Sequence, residues 1–175
     1  HKFMECVDEA GFPPGVINLL TGADADLGDA LVDDPRTHFI NFTGSKEVGL
    51  RIAERSAQVH EGQRWMKRAY MEMGGKDAMI VDETADLEAA AADVVRSAFG
   101  FQGQKCSAAS RAYIPESLWG DVKAGLEADL KSIKVGAPED FTNFMCAVID
   151  EASFDSIMSY INYAKDASDA SFVTG

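Results

Sequence analysis

A short apolar run, a glycine-containing turn and an amphipathic segment follow one another between residues 38 and 58. His38-Phe39-Ile40-Asn41-Phe42 predicts a strand, and Thr43-Gly44-Ser45 turns the chain into a helix predicted over 46–58. Strand, tight turn and helix in this order form the unit from which α/β folds are built. The pattern recurs, with further strands predicted at 16–20, 69–73, 78–81 and 111–114 and helices at 2–10, 26–32, 85–99, 118–133 and 153–164. We therefore predict an α/β fold.

The charge and the cysteine pattern exclude several classes of protein. The chain carries 16 basic and 29 acidic residues and a net charge of −13, which repels nucleic acid phosphates. No apolar run approaches the roughly 18 residues of a membrane span, and no secretory signal opens the chain. The three cysteines and three histidines show no CxxC pair and no cluster, so we expect no metal site and reduced thiols. We expect a cytoplasmic protein, or one of the mitochondrial matrix if the source is eukaryotic.

The turn Thr43-Gly44-Ser45 precedes a helix, and two interpretations of it stay open. Glycine lets backbone approach a ligand, and the free N–H groups of a helix N-terminus attract phosphate. Alternatively, Ser45 is only the N-cap of the helix. Neither GxGxxG nor a Walker motif is present in the sequence.

Two further residues are candidates for covalent and acid–base chemistry. Cys106 follows the glycine-interrupted segment 100–103, and its neighbour Lys105 favours the reactive thiolate; the alternative is a small buried apolar side chain. Glu72 stands between Met71 and Met73, which would partly desolvate the carboxylate and suit it to act as a general base. The alternative for Glu72 is a strand-end glutamate that points to water.

In combination, these segments resemble the aldehyde dehydrogenase superfamily. Phe42-Thr43-Gly44-Ser45 with Gly49 resembles its phosphate-side cofactor segment, and Glu72-Met73-Gly74-Gly75-Lys76 resembles its glutamate motif. Phe101-Gln102-Gly103-Gln104-Lys105-Cys106 resembles its cysteine motif, and the segment 11–18 is a further family-like block. The order and the separation of the motifs match as well, so the resemblance covers essentially the whole chain.

The resemblance implies a fold, a cofactor and a set of site residues. Residues 1–73 would be the distal part of a Rossmann-like NAD(P)-binding domain, and residues 74–175 the first part of the catalytic domain. Cys106 would be the nucleophile, Glu72 the general base, and NAD, or NADP, the cofactor. The residues implied to bind the cofactor are Thr43, Gly44, Ser45, Gly49, Gly28 and Gly74. Ser107 would touch the substrate, a small aldehyde.

One branch of that family resembles this chain most, through the segments 74–77, 103–111 and 147–150. The branch oxidises L-glutamate γ-semialdehyde to L-glutamate in proline catabolism. Family members are far longer, and they use an upstream asparagine and lysine and a downstream Glu-Ile-Phe-Gly-Pro segment that these 175 residues lack. We therefore expect the 175 residues to be inactive alone and the full-length protein to be a homo-oligomer. The alternatives are another semialdehyde dehydrogenase, an inactive excised piece, or a cysteine hydrolase that pairs Cys106 with a histidine.

Overall fold

The chain forms two compact units, His1–Met73 and Gly74–Gly175, in a computed structural model that describes residues 1–22 and 25–174. The division falls between Met73 and Gly74, where the sequence predicted a domain boundary. That the first unit belongs to a cofactor domain and the second to a catalytic domain stays a prediction.

The first unit contains a βαβ arrangement. Strands β1 (Phe39–Thr43) and β2 (Arg68–Glu72) run parallel and in register, and helix α3 (Lys46–Ser56) joins them. Helices α1 (Lys2–Glu9) and α2 (Ala25–Asp33) precede them. Parallel strands need such a crossover connection, which explains why strand and helix patterns alternate in the sequence.

Helix α3 is attached to its neighbours by close packing and by charge. Its buried Gly49 lies so close to Met73 that an added Cβ would be 2.8 Å from the Met73 sulfur. Arg55 forms ion pairs with Asp33 and, at 3.4 Å, with Asp29 of α2. The helix is thereby held between the strands and α2.

The second unit contains another parallel pair. Strands β3 (Asp77–Ile80) and β4 (Ala109–Tyr113) are connected through helix α4 (Leu87–Phe99), and a register shift lies between Asp77 and Ala78. Helices α5 (Glu116–Ser132) and α6 (Glu151–Asp166) follow. The core of this unit lies between α4 and α5 and consists of Ala91, Val95, Val122 and Leu126.

The α/β class and most predicted elements are confirmed, but one predicted strand is wrong. Residues 16–20 form neither helix nor strand; the Val16 N–H donates to the Pro13 carbonyl at 3.2 Å in a turn. Val16 and Leu20 are exposed. A strand requires a neighbour for its N–H and C=O groups, and no residue in the described ranges pairs with this segment.

Candidate active site

Four of the predicted site residues meet at the carboxyl ends of β1 and β2. Thr43 and Glu72 are register partners at the last position of each strand, and both are exposed. The Gly44 N–H donates to the Glu72 carbonyl at 3.0 Å, and Ser45 follows directly. Ligands of open α/β sheets bind outside the carboxyl ends of the strands, so this edge is where the fold favours a site.

Ser45 is the N-cap of α3, and the first turn of that helix keeps free donors. The Ser45 hydroxyl accepts a hydrogen bond from the Val48 N–H at 3.3 Å. Within the described part of the chain, the N–H groups of Lys46 and Glu47 donate to no residue. Both interpretations of the turn are therefore compatible: the side chain caps the helix, and the remaining N–H groups could hold a phosphate.

The four glycines predicted to bind the cofactor lie in different surroundings. Gly28 on α2 and Gly74 after β2 are exposed, with open space where a Cβ would be. An added Cβ at Gly44 would be 2.5 Å from the Phe42 ring, and Gly49 is buried against Met73. The contacts of Gly49 are thus packing contacts, and a cofactor contact at any of the four stays a prediction.

Glu72 is exposed, which contradicts the expectation that its methionine neighbours desolvate it. Successive side chains of a strand point to opposite faces. Half-buried Met71 lies on the other face from Glu72, and Met73 packs against Gly49 of α3. Neither methionine covers the carboxylate in this unit. The surroundings of Glu72 are therefore those of the alternative interpretation, a strand-end glutamate that points to water.

Cys106 stands on a tight turn at the amino end of β4. The Ala108 N–H donates to the Lys105 carbonyl at 3.2 Å, which places Cys106 and Ser107 at the two central positions. Both are exposed, so the alternative of a buried apolar cysteine is wrong. Among the described residues, none accepts a hydrogen bond from the Cys106 N–H, which leaves that donor for a ligand.

A left-handed turn, defined here as Gly100–Gly103, precedes the nucleophile candidate. Phe101 has φ 56°, Gln102 has φ 58° and Gly103 has φ 68°. The Lys105 ammonium lies 5.4 Å from the centre of the Phe101 ring, a cation–π contact across this turn. The sequence predicts a loop at these positions but not a left-handed one. Of the three residues with positive φ, only Gly103 is of a type that favours this conformation.

Gly75 contacts the Cys106 backbone and was missed as a site residue. A Cβ at Gly75 would be 2.3 Å from the Cys106 carbonyl oxygen. Asp77 and Ala109 are register partners at the start of β3 and β4, which brings the segments before the two strands to one edge. The Gly-Gly pair in the sequence was the available signal for such a close approach.

The site residues thus form two groups, each within its own unit. Thr43, Gly44, Ser45 and Glu72 belong to the first unit, and Cys106 and Ser107 belong to the second. The three histidines all belong to the first unit, where His38 stacks on Trp65 and the His60 Nε2 faces Asp33 at 3.7 Å. The unit that carries Cys106 therefore contains no histidine, and no observation favours a cysteine hydrolase.

The described residues offer neither a metal-binding cluster nor a membrane-spanning helix. No group of three or more histidine, cysteine, aspartate or glutamate side chains there could hold a metal ion. No helix in the ranges 1–22 and 25–174 has the length and apolar character that crossing a membrane requires.

Comparison with known proteins identifies a single family. Residues 1–175 match the aldehyde dehydrogenase family. A 1-pyrroline-5-carboxylate dehydrogenase of Geobacillus sp. (strain WCH70) is 53% identical over 165 residues, which are 94% of this chain and 32% of that protein. The crystal structure of 1-pyrroline-5-carboxylate dehydrogenase from Thermus with bound NAD superposes with a TM-score of 0.88 at 47% identity, over 94% of this chain and 32% of that chain.

A more distant structure extends the comparison within the same family. Aldehyde dehydrogenase C of Pseudomonas syringae, a mutant in complex with NAD⁺ and octanal, superposes with a TM-score of 0.90 at 32% identity, over 99% of this chain and 34% of that chain. The chain spans about a third of the length of the curated relatives it matches.

Proposed function

The chain belongs to the aldehyde dehydrogenase family, and from this premise we propose that a protein of its relatives' length oxidises an aldehyde to a carboxylate with NAD. The substrate we propose is L-glutamate γ-semialdehyde, which forms from 1-pyrroline-5-carboxylate. The observation that carries the proposal is the exposed Cys106 at the centre of a tight turn, within a chain that matches the family over all its residues.

The edge of the first unit fits the phosphates of a dinucleotide. Thr43, Gly44 and Ser45 lie at the carboxyl end of a parallel strand, and the free N–H groups of Lys46 and Glu47 carry the positive end of the α3 dipole. Gly28 and Gly74 would offer open backbone to the remainder of the cofactor. When bound, NAD⁺ supplies the acceptor for the hydride of the aldehyde.

Cys106 carries the first half of the proposed reaction. Its thiolate attacks the aldehyde carbon, and a carbon–sulfur bond forms while the carbonyl oxygen becomes an alkoxide. The Cys106 N–H, which has no acceptor among the described residues, can donate to that oxygen. Loss of a hydride, with two electrons, from the same carbon restores the carbonyl as a thioester on Cys106.

Glu72 carries the second half. Its carboxylate removes a proton from water, the hydroxide adds to the thioester carbon, and the carbon–sulfur bond breaks. The carboxylic acid leaves and the Cys106 thiolate is restored. Because Glu72 is exposed in its own unit, we propose that residues beyond this chain supply the desolvation that a general base needs.

The choice of substrate rests on relatives and on one neighbour of the nucleophile. Relatives that are about half identical to this chain are named for 1-pyrroline-5-carboxylate. Ser107 is exposed beside Cys106, where its hydroxyl can contact the substrate. Another semialdehyde is the alternative within the family.

The test is NADH formation from glutamate γ-semialdehyde by the full-length protein and two variants. We expect turnover by the unaltered protein, none by Cys106→Ala, and unchanged turnover by Cys6→Ala. Cys6 is a matched control because it is also a free, exposed cysteine, on α1 of the other unit. Turnover of a different aldehyde alone would keep the family activity and reject the substrate; turnover by Cys106→Ala would reject the nucleophile.

Two properties of the full-length protein complete the proposal. We propose a homo-oligomer, which size-exclusion chromatography with light scattering tests. We also propose a cytoplasmic location, or the mitochondrial matrix if the source is eukaryotic; the bacterial relatives are enzymes named for a small-molecule substrate.

A further inference from the structure

Two hydrogen bonds involve the side chain of Gln102 in the left-handed turn, and one of them reaches a distant cysteine. The Gln104 Nε2 donates to the Gln102 Oε1 at 3.1 Å, and the Gln102 Nε2 donates to the Cys146 sulfur at 3.2 Å. The Gln102 side-chain oxygen therefore accepts a hydrogen bond from the segment that leads to Cys106. Its side-chain nitrogen donates to a residue 44 positions further along the chain. Cys146 is half-buried, and it lines a cavity of about 310 Å³ together with Phe101 and Gln102.

The turn that these bonds hold is strained. Phe101 and Gln102 both adopt positive φ, a conformation that is unfavourable for residues other than glycine. Such a conformation persists only where the surroundings fix it. The Gln104 backbone N–H and side-chain amide both donate to the Phe101 carbonyl, at 3.0 Å and 3.2 Å. Lys105 contacts the Phe101 ring, and the Gln102 side chain bonds to Gln104 and to Cys146. The bond to Cys146 is the one that reaches a distant part of the sequence.

We propose that Cys146 is a positioning residue for the nucleophile, acting through Gln102 on the left-handed turn that leads into Cys106. The proposal rests on the proposed function, because it takes Cys106 as the reacting thiol. Cys146 itself forms no bond with substrate; its sulfur is the acceptor that keeps Gln102 in place.

The test is a double-mutant cycle in the full-length protein, with two readouts. Cys146→Ala removes the acceptor, and Gln102→Met keeps the length of the side chain but removes the donor to Cys146 together with the acceptor for Gln104. The first readout is the initial rate of Cys106 alkylation by iodoacetamide, measured by mass spectrometry on the peptide that contains Cys106. The second is kcat and KM for the aldehyde.

We expect Cys146→Ala to slow alkylation about fivefold, the worth of one hydrogen bond, and Gln102→Met to slow it at least as much. The double variant should then be no slower than Gln102→Met, because the same bond is already lost; the loss of the Gln104 contact is present on both sides of that comparison and cancels. We expect kcat to fall with alkylation while KM and the urea unfolding midpoint stay unchanged.

Two further variants serve as controls, one that should rescue the alkylation rate and one that should leave it unchanged. Cys146→Ser retains an acceptor and should restore alkylation to within about twofold of the unaltered rate. Cys6→Ala should have no effect. Additive effects in the cycle, or an unaltered rate in Cys146→Ala, would overturn the proposal. If the unaltered protein oxidises no aldehyde, the proposed function fails, while the alkylation rates still decide whether Cys146 positions Cys106.

Discussion

At the scale of single residues, the backbone around Cys106 leaves room for no side chain at position 75, so only glycine fits there. A Cβ on residue 75 would clash with the Cys106 carbonyl oxygen. The Asp77 carboxylate also lies close to that Cβ position, at 2.6 Å. Because backbone cannot move aside as a flexible side chain can, any side chain at position 75 must displace the turn that carries Cys106.

We therefore expect Gly75→Ala in the full-length protein to lower both stability and aldehyde oxidation. Overpacking of this kind costs about 1–3 kcal/mol, measured as the free energy of unfolding in urea. Gly120→Ala is the matched control: Gly120 lies inside α5 of the same unit with no atom within 4 Å of an added Cβ. Alanine there should stabilise the helix by up to about 1 kcal/mol. Equal stability of the two variants would contradict the close approach of Gly75 and Cys106.

Glu72 gives a second prediction at this scale, from the order of the proposed steps. Hydride transfer precedes the step that uses the carboxylate, so Glu72→Gln should still produce NADH in the first turnover. Steady-state oxidation should then fall by about 10²–10⁴, the usual contribution of a general base. Rapid-mixing measurement of NADH should give a burst of one equivalent per active site. Loss of the burst together with the steady state would place Glu72 before the thioester and reject its role as the base.

At the scale of elements, the N-terminus of α3 combines capping and anion binding, and the two can be separated. Ser45→Ala removes the cap and should cost about 1 kcal/mol of unfolding free energy. Ser45→Asp keeps a capping oxygen but adds a negative charge beside the proposed phosphate position. We expect near-normal stability for Ser45→Asp and at least about fivefold weaker NAD binding by calorimetry, because a like charge about 4 Å away costs about 1 kcal/mol even where water screens it fully. Unchanged NAD affinity in Ser45→Asp would reject this helix as the phosphate site.

The N-terminus of α6 gives a prediction about pH. The backbone N–H and the side chain of Ser153 form hydrogen bonds with Asp150, the N-cap, and lower the pKa of its carboxyl below the ordinary value. The ionised form is therefore favoured by folding. This stabilisation is complete above the pKa of an unfolded aspartate, about 3.9, and is lost as the pH falls through the lowered value.

Asp150→Asn keeps a capping side chain without the charge, so it isolates this effect. We expect the difference in unfolding free energy between the unaltered and Asp150→Asn proteins to be constant from neutral pH to about pH 5 and to shrink below about pH 4. Urea titrations across this range measure it. A difference that grows as the pH falls would have the wrong sign for a lowered pKa.

Elements were predictable where local patterns decide them, and not where distant contacts do. The spacing of Ala91 and Val95, together with the cap at Asp86, determines α4, whose cap is observed with the Ala89 N–H at 3.1 Å. The apolar segment at 16–20 carries the same local signal as β1, yet it has no partner strand among the described residues. In the candidate site, the motif residues are visible in the sequence, and their roles stay predictions. The bond between Gln102 and Cys146 is not visible there, because nothing local relates positions 44 apart.

At the scale of the whole chain, the sequence contains many apolar residues, but few apolar side chains are buried. Hydrophobic residues make up 46% of the sequence, yet in the described part only eight apolar side chains are buried. Ile80, Phe141 and Ile149 are more than four-fifths exposed. Large exposed apolar surfaces mark interfaces, and the relatives that cover this chain are about three times as long.

The last prediction follows from this mismatch and concerns the 175 residues alone. With so little apolar burial to offset the conformational entropy of about 1–2 kcal/mol per ordered residue, the isolated chain should be marginally stable or self-associate. We expect it to scatter light as an aggregate or to bind an apolar fluorescent dye strongly, and to form no NADH with any aldehyde. For the full-length protein we expect elution as one species and aldehyde oxidation. An isolated chain that unfolds cooperatively as a monomer would show that the two βαβ units are self-sufficient. Activity in that monomer would further show that Cys106 and Glu72 need no residue beyond this chain.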